Sequence, residues 1–265
     1  MVFSLPAGLP PGRFERRGPA EIWVCDELPD DIDELFAELL RQAAVTGRYP
    51  HLCRPDPHDR PEDPAAADAI RLDEVLAADF AAYRQKRLPW WSAPAGAETS
   101  DDTPEDVEPW PHDPGPPFET WPGLAPAGPG AGDGGPGTTP EEAARRTVAD
   151  LLSTEPFTPS LALVPARRAA DVLAVIGWNG GPPIPLLTAL LRSWEDRFGA
   201  RVVGAYGGDV HVSVARPPLD RASADRLALE HVLSTADNIV DDPPTPFPEY
   251  ADALIGRTEW RFWWD

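Results

Sequence analysis

Glu230 and His231 are the only adjacent carboxylate and imidazole on a clear helical pattern in this chain of 265 residues. A histidine titrates near neutral pH and a neighbouring carboxylate can orient it, so general acid–base chemistry would begin at this pair. Asp237 follows the same helix and would complete a polar site, which makes Glu230, His231 and Asp237 the candidate catalytic residues. His231 stands three and four residues after Ala228 and Leu227, at the edge of the apolar face. A structural histidine, a general base and a metal ligand are all open readings there. Asn238, next to Asp237, has a plain alternative as a left-handed helix cap. No HExxH, paired CxxC, phosphate loop or GxSxG elbow is written in the chain. Pro182-Pro183 after Gly180-Gly181 delete the backbone donors that a phosphate-cradling loop offers. Cys25 and Cys53, the two cysteines, have no motif spacing and read as free thiols. No cofactor and no metal is expected.

Large rings surround these residues in sequence. Trp260, Phe262 and Trp264 share one face of a C-terminal strand pattern, with Trp263 on the other. Three rings at period two demand a packed face. They lock the core, or else Trp263 and Asp265 border a pocket. Trp194 falls on the stripe Leu187, Leu190, Leu191, Trp194, Phe198 and is expected in the core, with Glu195 and Arg197 beside it as an ion pair.

The elements that must position them are legible in turn. In the first half, Glu21–Cys25 reads as a strand. A helix follows, started by Pro29-Asp30-Asp31 with Asp30 as cap, striped by Ile32, Leu35, Phe36, Leu39 and Ala43, and closed by Gly47. Tyr49–Cys53 is a second strand, and a helix runs from about Asp73 to Arg87. From Pro89 to Thr139 periodicity disappears under proline, yet Trp90, Trp91, Trp110, Phe118 and Trp121 lie inside. Such rings place Phe118–Ala125 as extended chain against a folded surface, with Ala127–Gly137 as the flexible point. Thr139-Pro140-Glu141-Glu142 is a capping box that opens a further helix.

Beyond Ser160 the order is strand Leu161–Val164, helix Ala166–Ile176, helix Pro185–Phe198 and strands Arg201–Tyr206 and Asp209–Arg216 about Gly207-Gly208. Helices near Ala222–Ala236 and Glu249–Leu254 and a strand Glu259–Trp264 complete it. The alternation of Val210, Val212 and Val214 with Asp209, His211 and Ser213 places the valines inward and the polar residues outward or toward a cleft. The fold class is therefore α+β. Residues 140–265 are expected as a β-α-β-β-α-β ferredoxin-like (split βαβ) sandwich with extra helices and a core at 161–265. Before it come an α/β region at 1–88 and a proline- and glycine-rich acidic linker at 89–139.

With 44 acidic against 23 basic residues the formal charge is -21. Such a field repels phosphate backbones and anionic membranes, which argues against nucleic-acid and membrane partners; it leaves open a basic protein partner, beside the plainer reading that acidity keeps the protein soluble. Without a run of eighteen apolar residues, and with MVFSLPAGLPPGRFERRG at the start, the chain is expected to be cytoplasmic. One lysine, Lys86, among 22 arginines, with abundant alanine, proline and glycine, looks like the coding bias of a GC-rich bacterial genome.

Leu163-Val164-Pro165-Ala166, Gly177-Trp178, Arg192–Ala200 (RSWEDRFGA), Ala215–Pro218, Glu230-His231, Asp237-Asn238 and Trp260–Asp265 (WRFWWD) together resemble the bacterial domain-of-unknown-function family 4253. Thr46–Pro50 and Pro122–Pro126 resemble the leader that precedes it. The chain departs from the usual pattern at Asn179–Pro183 and at Val232–Ala236. The resemblance implies no known activity, and it singles out Trp178, Trp194, Arg197, Asn238, Trp263 and Asp265 as candidate binding residues. The expected function is a non-catalytic protein-interaction protein, of immunity type, with an acidic surface. The alternative is a small hydrolase or transferase with a Glu230, His231 and Asp237 pocket near the aromatic C-terminus.

Overall fold

Strands from both halves of the chain meet in one sheet. The computed structural model describes residues 5–54, 60–93, 111–129, 138–154, 158–240 and 245–265; Trp110, the acidic run Glu98–Glu108 and most of the expected flexible point lie outside them. The strands are β1 (Gly12–Arg17), β2 (Ala20–Cys25), β3 (Arg48–Cys53), β4 (Ser160–Pro165), β5 (Arg201–Tyr206), β6 (Asp209–Ser213) and β7 (Glu259–Trp263). Their order is β1-β2-β4-β3-β5-β6-β7. All neighbours are antiparallel except β3 and β5, which run parallel.

The expected C-terminal order is therefore corrected. A split βαβ unit would set the last strand beside the first, whereas β7 pairs with β6, and β3 separates β4 from β5. What stands is a mixed α/β fold on a seven-stranded sheet.

Helices cover both faces. α1 (Ile32–Thr46) and α3 (Pro140–Thr154) cover one, with Phe36, Leu39 and Val148 packed on Trp23, Leu161 and Leu163. The other carries α2 (Leu72–Trp91), α4 (Val172–Ile176), α5 (Ile184–Phe198), α6 (Arg221–Leu233), α7 (Asp237–Val240) and α8 (Phe247–Leu254). Double coverage explains why β6 is buried on both sides: Val210, Val212 and Val214 are inward as expected, but His211 and Ser213 are buried too, facing the layer that α3 belongs to.

Local signals match closely. Gly47, Gly177 and Gly199 end α1, α4 and α5 in the left-handed conformation, and Thr139 Oγ1 accepts the Glu142 N–H at the start of α3. The cap position of α1 is Asp31 rather than Asp30, and its side chain makes no cap bond. Only Gly207 of the β5–β6 turn has positive φ; Gly208 is required because the Trp264 carbonyl passes 1.8 Å from where a Cβ would stand. The stretch expected as one helix before Gly177 is a short 3₁₀ turn, Ala169–Asp171, followed by α4.

Because β3 fills the gap between β4 and β5, residues 140–265 expressed alone would leave both strands without their neighbour. We expect this fragment to show no cooperative thermal transition by circular dichroism, while the whole chain melts cooperatively. A fragment melting like the whole chain would establish the boundary near residue 140.

Candidate functional site

α5 and α6 lie on the same face of the sheet, and the contact between them is polar at its centre. The Glu230 carboxylate, wholly buried on α6, accepts from both nitrogens of the Arg197 fork: Nη1 to Oε1 at 2.8 Å and Nη2 to Oε2 at 2.5 Å. Oε2 also accepts the Trp194 indole N–H at 2.8 Å, and Oε1 the Ala125 backbone N–H at 2.7 Å. Four bonds fill the four lone-pair sites of the carboxylate. The same Arg197 donates to the Ala125 carbonyl at 2.8 Å and to Ser193. Arg197 thus pairs with Glu230, not with Glu195 as expected; Glu195 turns toward Arg168 and accepts the Ala170 N–H.

Ala125 ends an extended segment that packs Phe118, Trp121 and Leu124 on the core, as the rings in that segment suggested. Trp121 Nε1 donates to Asp73 at 2.7 Å, which fastens the segment to α2.

His231 faces the aromatic row. Its ring centroid lies 4.9 Å from Trp194, 4.7 Å from Trp260 and 4.9 Å from Phe262, each nearly edge to face. Nδ1 shares a hydrogen bond with the Tyr250 hydroxyl at 2.9 Å. Burial, then the Arg197 and Arg257 charges, hold the imidazolium well below the ordinary histidine range. Burial also pushes the Tyr250 phenol up. His231 is therefore neutral, and Nε2 has no hydrogen-bond partner among the described residues. Both thiols are buried, and burial pushes Cys53 up to about 12.

The remaining candidates gather at β7. Trp260, Phe262 and Trp264 are buried in a row, and Trp178 meets Trp264 edge to face at 5.4 Å while donating Nε1 to the Gly207 carbonyl. Asn238 is no helix cap: its amide donates to the Arg261 carbonyl and accepts the Trp263 N–H on the outer edge of β7. Asp237 Oδ2 accepts the Asp265 N–H at 2.7 Å. The structure thus gathers Glu230, Trp194, Arg197 and His231 in one buried cluster, and Asp237, Asn238, Trp263 and Asp265 in another at the strand edge. Every one of these residues lies in the C-terminal part of the chain.

Residues 160–265 match DUF4253, a domain of unknown function. No curated protein and no solved structure matches this chain. The DUF4253 match begins at β4, so β3, α2 and the Ala125 segment that complete its sheet and its buried cluster lie before it. A cleft of about 650 Å³ opens where this region meets α2. Asp237 and Asp265 border it, whereas Glu230 and His231 do not. Gly180–Pro183 and Val232, Leu233 and Thr235 line it as well. Three participants were missed from sequence: the Ala125 main chain, Tyr250 and Lys86 of the cleft. A single lysine was the one available signal.

Removing one partner of the buried pair strands the other. Glu230→Ala should cost about 3–5 kcal/mol in urea denaturation, with Glu230→Gln also destabilised because its NH₂ would oppose N–H donors. A loss under about 1 kcal/mol for Glu230→Ala would contradict the pairing.

Because His231 stays neutral when folded, the unfolded chain binds the extra proton below about pH 6.5. This residue's contribution should be flat above that pH and fall by up to about 1.4 kcal/mol per unit below it. Denaturation at about pH 7.5 and pH 5 should show the drop reduced in His231→Gln.

Proposed function

We propose that the protein is a non-catalytic binding protein, of immunity type, whose acidic surface recognises a basic protein. The observation that carries this reading is the state of Glu230, a buried carboxylate whose four lone-pair sites are all filled by Trp194, Arg197 and Ala125. Such a group has no site left from which to take a substrate proton. His231, beside it, is sealed among three rings. A hydrolase or transferase built on these residues would need both to reach a substrate.

The charge balance supports the choice of partner. Arg13, Arg145, Arg168, Arg192 and Arg221 each clamp two carboxylates of this same chain. With so many cations held in internal pairs, the excess of acidic residues sets the outward field. A basic surface would be steered toward it over about a Debye length.

The test is capture from a cell lysate on the immobilised whole chain at low salt, followed by titration of the identified, purified partner. The expected partner is basic, and its Kd should weaken at least about tenfold between about 0.05 and 0.5 M salt. An acidic partner, or affinity indifferent to salt, would overturn the reading.

A further inference from the structure

The cleft between α2 and the DUF4253 region carries charges of both signs around an apolar floor. On α2, Asp79, Ala82, Tyr83 and Lys86 follow at three- and four-residue steps and form one wall. Asp237 and Asp265 border the cleft from the C-terminal side, and Leu186 and Trp264 supply apolar surface between. Arg87 donates to the Val240 carbonyl at 3.3 Å, which ties α2 to α7 at the cleft's edge.

Lys86 is the one lysine of this chain and is exposed, and, like Arg16, Arg84 and Arg226, it makes no ion pair among the described residues. Asp237 is half engaged: Oδ2 holds the Asp265 N–H, and Oδ1 accepts no hydrogen bond among the described residues. The floor is rigid, since the Trp264 indole donates to the Ser234 carbonyl at 3.2 Å and rests on Trp178 and Phe262. Gly181 packs closely on that ring, for a Cβ there would come within 2.9 Å of it, and the ring reaches the cleft only along its edge. Thr235, the one non-glycine residue with positive φ among the described residues, lines the same cleft.

We propose that this cleft binds a small zwitterion with an apolar side chain, an α-amino acid or a short peptide. Its carboxylate meets Lys86, its ammonium meets Asp237, and its side chain lies over Leu186 and the edge of Trp264. A ligand of one sign would leave either Lys86 or Asp237 unmatched, and an uncharged one would leave both unpaired. This goes beyond the reading of a basic protein partner and does not depend on it.

Isothermal titration of the whole chain with L-leucine, L-phenylalanine and leucyl-leucine tests the proposal. 4-Methylpentanoate and 3-methylbutylamine serve as probes that lack the ammonium or the carboxylate. Saturable binding is expected for at least one zwitterion, with both single-charge probes at least about tenfold weaker. Lys86→Ala and Asp237→Asn should each weaken that zwitterion about tenfold while melting like the parent. Asparagine keeps an oxygen for the Asp265 N–H, and Lys86 is exposed with no hydrogen bond or ion pair among the described residues, so folding should be preserved in both. The absence of saturable heat for every zwitterion up to about 10 mM would overturn the proposal. So would equal binding of a single-charge probe, or unchanged affinity in the Lys86→Ala protein.

Discussion

The charge of Glu230 is held where water does not reach, and a carboxylate in that position is tolerated only while donors surround it. Those donors come from three places: Arg197 and Trp194 on α5, and the main chain at Ala125. α5, α6 and the extended segment must therefore all be seated together, because the absence of any one exposes the others to an unmet polar group. The aromatic row depends on the same arrangement. Trp194 stacks on Phe262 at 5.3 Å and meets Trp260 edge to face, so the indole that donates to Glu230 also packs against the rings of β7. Polar specificity and apolar burial are joined in one side chain.

Much of the local structure was legible in the residues because its causes are local. A glycine that must turn left-handed ends α1 at Gly47 and α5 at Gly199, and threonine, proline and glutamate write the start of α3. Strand order has no such local cause. Nothing within β4 or β5 indicates that a strand from the first half lies between them, and the sheet was misjudged there. β1 was missed because GRFERR lies at the sheet edge, largely exposed, and shows no apolar alternation. His211 and Ser213 were assigned outward or toward a cleft because the helices over that face come from a distant part of the sequence.

The candidate residues were legible as a set more than as roles. Glu230, His231, Trp194 and Arg197 do meet, since adjacency on α6 and the stripe of α5 fix their directions. Their roles depend on burial, which the chemistry of the residue types does not reveal. The Ala125 contribution is made by a peptide group, which every residue but proline offers alike, so no side chain announced it. Lys86 was read as a feature of composition because only the fold sets α2 opposite Asp237.

The amide of Asn238 has a wider meaning for assembly. By taking the outward Arg261 carbonyl and Trp263 N–H it occupies groups that an eighth strand would use, and so guards the β7 edge against pairing. At the other end β1 is exposed along most of its length. A sheet guarded at one margin and bare at the other is biased toward strand addition at β1 alone, which disfavours growth into a filament from both ends.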